Sequence, residues 1–257
     1  MTVVCWSRSR VRSRATWRGY GTSRNAARSG SLSDATDVLL TALQFGDGQF
    51  PGGGFAFSWG LEALVTDGKL SRNDFPAFVD GQLQHRWATF DRIVVAHAHA
   101  AASDIDRLLE LDDLVDALMT VDSARVGSCR AGRALLGTHV RLETLGAVAF
   151  KASVDAARAH GHLPIVQGVV LKGVGLDAAT ALAVSAYMMA QALCTAAIRL
   201  GLIGHLDAQR TLARIRPRMA QLAAQGQGGL DDISTFVPVS DIAMLRHAGQ
   251  AQRLFSN

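Results

Sequence analysis

The sequence predicts an all-α protein, a single-domain bundle of roughly ten helices, and three observations support this. Apolar residues recur at intervals of three and four along most of residues 34–225, which is the spacing of one face of an α-helix. No long stretch alternates apolar and polar residues as a half-buried strand would. The 257 residues are 49% hydrophobic and 19% charged, so the chain can bury a sizeable core.

Residues 1–33 differ from the rest of the chain, because they contain seven arginines and no acidic residue. With little periodic apolar pattern, they are predicted to be a basic, disordered N-terminal extension. Its role stays open between an arm for an anionic partner, an organelle transit peptide and an extension with no part in the fold. The remaining 19 basic residues face 22 acidic ones, so residues 34–257 carry a net charge of −3 and we expect no nucleic-acid partner.

A glycine-rich turn separates the first two predicted helices. Asp34 can cap a helix over Asp34–Gln44, and the helical pattern resumes over Phe55–Val65. The turn between them lacks the Lys and the Ser or Thr of a phosphate-binding P-loop, and no strand precedes it as a dinucleotide-binding loop requires. We therefore expect its glycines to allow close helix packing or positive φ angles.

The later helices follow from the same periodicity. They are predicted from Ser71 or Asp74 through Trp87, and then over Asp91–Ala102, Asp104–Leu111, Leu114–Val121, Asp122–Leu136, Leu142–Ala159, from Pro164 to Gly175, Asp177–Leu200, and Asp207–Ala224 with a kink at Pro217. Small residues on the Asp122–Leu136 helix indicate close packing. Asp177–Leu200 is apolar nearly all round, which predicts a central buried helix.

The chain is expected to be soluble and to work in a reducing cytoplasm. No uninterrupted apolar run reaches the roughly 18 residues of a membrane span. The three cysteines, Cys5, Cys129 and Cys194, form no closely spaced pair, so no disulfide framework is predicted.

The C-terminal residues 226–257 are predicted to be a linker followed by a partner-binding tail. Gln225–Gly229 is rich in Gln and Gly, as flexible linkers are. The segment after it has too little apolar surface to form a domain and too much for a solvated tail. It should therefore dock on its own body or on a partner.

Two His-x-His pairs are the candidates for metal ligands, although no metal site is predicted. His97 and His99 lie on a helix, where a spacing of two points the side chains to different sides. His160 and His162 lie in a loop, where the geometry is freer. The second pair is therefore the remaining candidate.

Five segments resemble, in the right order, the motifs of one family. The turn sequence FPGGGFAFSWGLE, residues 50–62, resembles the signature of the urease accessory protein UreF family. Four further segments resemble its later motifs: DSARVGSCRAGRALL, LPIVQGVVLKGVGL, AAIRLGLIGHLDAQ and DIAMLRHAGQAQRLFSN. The resemblance covers residues 34–257.

The resemblance implies a non-enzymatic, dimeric, all-α assembly scaffold. Proteins of this family bind the accessory protein UreD, also called UreH, and the pair recruits the GTPase UreG to deliver nickel to apo-urease. A role in modulating UreG is implied as well, with no tightly bound cofactor and with nickel handled by the complex. The implied partner-binding residues are Pro51, Gly53, Gly54, Phe55, Ser58, Gly60, Glu62, Arg199, Arg246, His247, Arg253, Leu254 and Phe255.

Two alternatives from other classes stay open. A direct nickel carrier would use the His-x-His pairs. An enzyme would use Glu62 or His247 as a general acid–base group in a helical pocket, although the sequence offers no nucleophile paired with a base.

Overall fold

The computed structural model describes residues 32–53 and 58–247, and this part of the chain contains helices and no β-strand. The predicted all-α fold is confirmed. The α-helices are α1 (Leu32–Gly46), α2 (Leu61–Thr66), α3 (Phe75–Gln82), α4 (Arg92–Ala100), α5 (Ile105–Leu118), α6 (Asp122–Arg141), α7 (Ala147–Asp155), α8 (Leu163–Gly173), α9 (Ala178–Arg199), α10 (His205–Ala223) and α11 (Pro238–His247). A π-helix, π1 (Leu83–Asp91), joins α3 to α4, and a short 3₁₀-helix covers Leu230–Asp232.

Helices α3, π1 and α4 form one continuous rod, in agreement with the prediction that the helical pattern after Trp87 continues over Asp91–Ala102. The rod begins with Asp74 as its N-cap residue and a proline in the first turn. The large side chains of Phe75, Leu83 and Trp87 on its inward face are buried in the core. The helix therefore continues past Trp87 by changing its hydrogen-bonding pattern rather than by ending.

Helix α9 is the central helix of the core, as predicted. It is capped by Asp177, whose carboxylate accepts a hydrogen bond from the Thr180 amide at 2.7 Å. Its residues contribute to both large buried clusters: Ala190 and Leu193 to one, and Ala181 to the other. Contrary to the expectation from interrupted apolar runs, α9 is long and apolar enough to cross a membrane, but 56% of its most apolar window is buried inside the protein, as in a core helix.

Two glycines on helices allow backbones to approach more closely than any side chain would permit. A Cβ on Gly168 of α8 would lie 2.5 Å from the Ala98 Cβ and 2.7 Å from the His99 amide nitrogen, both on α4. A Cβ on Gly132 of α6 would collide with the carbonyl oxygen of Gly161. The prediction of close packing at the small residues of α6 is therefore confirmed, and α8 is held between α4 and α6.

Two predicted boundaries are wrong because of residues with positive φ. Of the helix expected over Phe55–Val65, residues 55–57 lie outside the described part, and within the part described the helix begins at Leu61, since Trp59 and Gly60 have φ values of 53° and 81°. The helix expected over Leu142–Ala159 is reduced to α7, since Glu143 and Gly146 have φ values of 56° and 82°. Such conformations cannot occur inside a right-handed helix.

A third boundary is wrong for the opposite reason. The sequence predicted two short helices around Asp112 and Asp113, but α5 runs through both residues without a break. Asp112 is fully buried and binds backbone amides of another segment, so its polar side chain does not mark a solvated loop.

The predicted linker after α10 lies against α4. The Arg92 guanidinium donates to the Gln225 carbonyl at 3.0 Å, and His97 Nε2 lies 3.1 Å from the Gly228 carbonyl oxygen. Further along, the Ser234 amide donates to the Thr89 carbonyl at 3.0 Å. This segment is therefore bound along the rod before α11 begins. Residues 1–31 of the predicted N-terminal extension, with Cys5, lie outside the described residues, and its last two residues, Leu32 and Ser33, belong to α1.

We predict opposite effects for two glycine-to-alanine substitutions on helices. Gly168→Ala forces apart α4 and α8 and should lower the free energy of unfolding by about 1–3 kcal/mol, as overpacking does. Gly137→Ala on α6 meets no atom within 4 Å and should raise it by about 0.5–1 kcal/mol through helix propensity. Urea unfolding of the full chain measures both, and an equal effect at the two sites would contradict the packing argument.

Candidate functional site

The glycine turn forms the seat for the C-terminal helix α11. Gly60 has a φ of 81°, and a Cβ on it would lie 2.7 Å from the Ser240 carbonyl oxygen. The side-chain amide of Gln82, on α3, donates to the Ser240 hydroxyl at 2.6 Å. The structure thus brings together two motifs that the sequence places 180 residues apart.

The sequence-predicted residues of the turn take different positions. Ser58, Gly60 and Glu62 are buried, so they shape the seat rather than the outer surface. Gly53, with a φ of 72°, packs against Ala134 of α6. Pro51 is exposed, and its carbonyl accepts a hydrogen bond from Thr138 at 2.7 Å.

The remaining predicted residues lie on the surface or outside the described part. Arg199 is exposed at the end of α9, and Arg246 is exposed on α11, 3.8 Å from an Asp67 carboxylate oxygen. Those outside the described residues are Gly54, Phe55, Arg253, Leu254, Phe255 and the side chain of His247.

Helix α11 has apolar residues on both its inner and its outer side. Its inner residues, Ala243 and Met244, are buried. Its outer residues are exposed although they are large and apolar, and they include Val239, Ile242 and Leu245. We call these three residues the outer face of α11. Exposed apolar side chains that cluster on one element are typical of an interaction surface.

A cavity of about 120 Å³ lies beside the same turn. Its wall is largely apolar and includes Phe50, Trp59, Trp87, Leu163, Met188 and Leu193. The Trp87 indole donates to the Ser185 hydroxyl at 3.1 Å, which in turn donates to Gln167 at 2.9 Å. An apolar wall with a few fixed polar groups is the usual composition of a ligand pocket.

A buried ion pair joins this cavity to the turn. Arg86 Nε lies 3.6 Å from Asp91 Oδ2, with side chains only 10% and 16% exposed, and the guanidinium carbon lies 4.6 Å from the centre of the Trp59 ring. Burial raises the pKa of the Asp91 carboxyl, and the Arg86 charge opposes that rise. The sequence did not predict this pair, because a spacing of five brings side chains together in a π-helix, whose backbone bonds join residues i and i+5.

The loop that carries His160 and His162 is fixed by one carboxylate. Asp112 of α5 accepts hydrogen bonds from three consecutive backbone amides, those of His160 at 2.6 Å, Gly161 at 2.8 Å and His162 at 3.0 Å. Gly161 has a φ of 76°, which lets the loop curl around the carboxylate. The position of both histidines is therefore set by the fold.

Two further side chains complete a cluster around these histidines. His162 Nε2 lies 3.1 Å from Asp116 Oδ1 and 3.6 Å from Cys129 Sγ. His160 Nδ1 lies 3.5 Å from the same Asp116 oxygen. Burial raises the pKa of the Cys129 thiol to about 11 despite the opposing charges of Arg133 and Arg125, so the thiol is protonated at neutral pH. The sequence identified the two histidines but not Asp116 and Cys129, which come from α5 and α6.

The other histidine pair does not form a site, as the helical spacing predicted. His97 Nε2 contacts the Gly228 carbonyl, whereas His99 Nε2 lies 2.9 Å from the Leu176 carbonyl oxygen. The two side chains are therefore bound to different segments.

Comparison with known proteins gives the family. A family model described as UreF matches residues 70–216, which is more than half of the chain. The chain belongs to the UreF family. The matched residues include π1, most of the cavity wall and the histidine cluster.

Full-length relatives extend this similarity over most of the chain. The UreF of Actinobacillus pleuropneumoniae is 31% identical over 222 residues, which cover 84% of this chain and 98% of the relative. The UreF of Xanthobacter autotrophicus is 31% identical over an alignment that covers 92% of this chain and 98% of the relative. The UreF of Trichodesmium erythraeum is 29% identical over an alignment that covers 85% of this chain and 96% of the relative. All three are named urease accessory proteins, in agreement with the expectation of a non-enzymatic UreF-family chain.

We predict that Gly60→Ala loosens α11. The new Cβ would meet the Ser240 carbonyl, so amide hydrogen exchange over residues 238–247 should become faster. Gly68→Ala is the matched control, because its φ of 65° imposes the same kind of backbone strain while no atom lies within 4 Å. Each variant should lose about 1–2 kcal/mol of stability from the left-handed conformation, but faster exchange in α11 after Gly68→Ala would contradict the seat.

We also predict a pH-dependent loss of stability for Arg86→Met. Removing one partner of a buried pair leaves an uncompensated charge and should cost about 3–5 kcal/mol near neutral pH. Because burial raises the folded-state pKa of Asp91 above its ordinary value, the loss should shrink as the pH falls towards the ordinary carboxyl range. Urea unfolding across that range measures the effect.

A second substitution separates charge from packing in the Arg86→Met variant. Asp91→Asn removes the unpaired charge, so the double variant should recover most of the lost stability at neutral pH. A double variant that is as unstable as Arg86→Met would mean that lost packing on Trp59, or loss of the Arg86 charge beside the Asp241 carboxyl, and not the Asp91 carboxylate causes the effect.

Proposed function

We propose that this chain is a urease accessory protein that acts as an assembly scaffold. With UreD, also called UreH, and the GTPase UreG, it supports nickel insertion into apo-urease. The observation that carries the proposal is the outer face of α11, an apolar surface seated on the family's own glycine-turn motif. Membership of the UreF family supports the urease context.

The proposed contact with UreD uses α11 together with the residues that follow it. Val239 and Ile242 are 63% and 50% exposed although α11 is anchored from its inner side. Apolar side chains at the centre of an interface, ringed by polar residues, supply most of its binding energy. Arg246 is the exposed cation beside this face, and we propose that Arg253, Leu254 and Phe255 extend the same interface.

The proposal also includes a homodimer and an effect on UreG. Helix α1 supports a contact with a second copy, because Leu39, Leu40 and Leu43 are exposed on it. Recruitment of UreG, modulation of its GTP hydrolysis and a cytoplasmic location rest on the family resemblance. In this proposal nickel passes through the complex as cargo, and the chain needs no tightly bound cofactor of its own.

A second candidate function is a direct nickel carrier. One observation favours it, namely that Cys129 and Asp116 lie beside His160 and His162. The pair His97 and His99 gives it no support, since the two residues contact different carbonyl groups.

Co-purification tests the scaffold proposal. The full chain should recover UreD and UreG from a co-expressing cell, and removal of residues 241–257 should abolish the recovery. Because that truncation also removes the buried Ala243 and Met244, Ile242→Asp gives the sharper test. This change at an exposed position should reduce recovered UreD at least about tenfold, which corresponds to roughly 1.4 kcal/mol.

The control for Ile242→Asp is Leu206→Asp, at an exposed position on α10. It places the same charge on an equally apolar surface residue and should leave the recovery of UreD unchanged. Equal circular dichroism and melting temperature in both variants would exclude misfolding. Normal recruitment by Ile242→Asp and by the truncated chain would refute the assignment of α11.

A further inference from the structure

We propose that Asp116, Cys129, His160 and His162 form a binding site for one divalent transition-metal ion of the Ni²⁺ and Zn²⁺ class. The side chains come from α5, α6 and the loop before α8. The site does not depend on UreD or UreG, so it stands or falls separately from the scaffold function.

The spacing of the donor atoms fits one small ion. Bonds of about 2.0–2.2 Å to nitrogen and oxygen and about 2.3 Å to sulfur place the ligand atoms of a tetrahedral site about 3.2–3.7 Å apart. His162 Nε2 lies 3.1 Å from Asp116 Oδ1 and 3.6 Å from Cys129 Sγ. The ligand atoms of these three residues all lie within 4.8 Å of one another.

His160 lies beside this three-residue group and outside it, with its Nε2 3.2 Å from Asp113 Oδ1, so it becomes the fourth ligand by a rotation of its side chain. Its Nδ1 lies 3.5 Å from the Asp116 oxygen that also faces His162. Its side chain is 41% exposed, whereas that of His162 is completely buried. His160 therefore stands on the solvent side, where an ion can enter and leave by exchanging one ligand.

The donor set selects the class of ion. Two imidazoles, one thiol sulfur and one carboxylate suit ions of intermediate softness, such as Zn²⁺ and Ni²⁺. Ca²⁺ and Mg²⁺ prefer oxygen donors throughout. A cation at this position would also favour the thiolate form of Cys129, which is the form that binds metals.

The surrounding structure holds these donors in place. Asp112 fixes the loop through three backbone amides, and the Ser128 hydroxyl accepts from the Leu163 amide at 3.2 Å. Gly132 lets α6 approach the loop without a side chain between them. A metal site needs such supporting contacts, because they set the direction of each ligand before the ion arrives.

A metal-free network is the competing explanation of the cluster. Asp116 accepts a hydrogen bond from His162 and lies 3.4 Å from Arg125, so these groups can satisfy one another without an ion. In that explanation Cys129 stays a neutral thiol that donates to His162 Nδ1, 3.6 Å away, while Nε2 faces the carboxylate, whereas in the metal site it is a thiolate ligand. The two explanations therefore differ at the sulfur.

Cobalt binding by the full chain tests the site. Co²⁺ bound by a thiolate in a tetrahedral site gives visible d–d bands and a sulfur-to-metal charge-transfer band. We expect one Co²⁺ ion per chain with both features, and displacement by Zn²⁺ or Ni²⁺. Cys129→Ser should remove the charge-transfer band, and both it and Asp116→Asn should weaken binding at least about tenfold. His205→Ala, a control at an exposed histidine on α10, should leave binding unchanged.

The outcomes separate the metal site from the other proposals. Zinc retained through purification would identify a resident ion and overturn the proposal that the chain needs no tightly bound cofactor, whereas reversible uptake of Ni²⁺ by a metal-free chain would identify cargo; each supports the site. Co²⁺ bound without the sulfur band, or equal affinity in Cys129→Ser and the unchanged chain, would refute it. Cys129→Ser should still recover UreD and UreG, so loss of metal and loss of partner are measured separately.

Discussion

The structure depends on one buried carboxylate at the junction of α5, α6 and α8. Asp112 is completely buried, and a charge in that position is costly unless hydrogen bonds replace its hydration. Three amides of the loop immediately before α8 do so, next to the helix N-terminus, where the helix dipole also favours a negative charge. Because this contact fixes the first turn of α8, it also sets where Gly168 meets α4 and where the two histidines point.

The family's glycine turn positions α11 by packing against it, rather than by exposing its own side chains to a partner. Gly60 lacks the side chain that would push Ser240 away, and Gln82 holds the same serine from the rod. Helix α11 is therefore bound on its inner side while Val239, Ile242 and Leu245 remain exposed. A helix bound in this way can present apolar residues without collapsing onto its own core, which lowers the entropic cost of recruiting a partner.

Local chemistry made much of the fold predictable, and long-range contacts limited the rest. Asp177 as a cap, the apolar α9 and the inward face of the rod all follow from residues within a few positions of one another. The continuity of α5 through Asp112 could not be predicted in this way. An aspartate is typical of loops, and the amides that bind this one lie 48 to 50 positions away in the sequence. The cluster at His162 was half predictable for the same reason, since Asp116 and Cys129 lie on other helices.

Two features of the structure reverse the usual distribution of polar and apolar side chains, in which polar groups are exposed and apolar groups are buried. The ionisable residues Asp112 and Arg86 are buried, with Asp91 only 16% exposed, and they fix the loop before α8 and the environment of Trp59. The outer face of α11 is apolar and exposed. Buried charges demand specific partners, because any other arrangement leaves them unsatisfied, whereas exposed apolar area gains free energy only when another molecule covers it. The first group therefore fixes one arrangement of the helices, and the second leaves apolar area on that arrangement that a binding partner can cover.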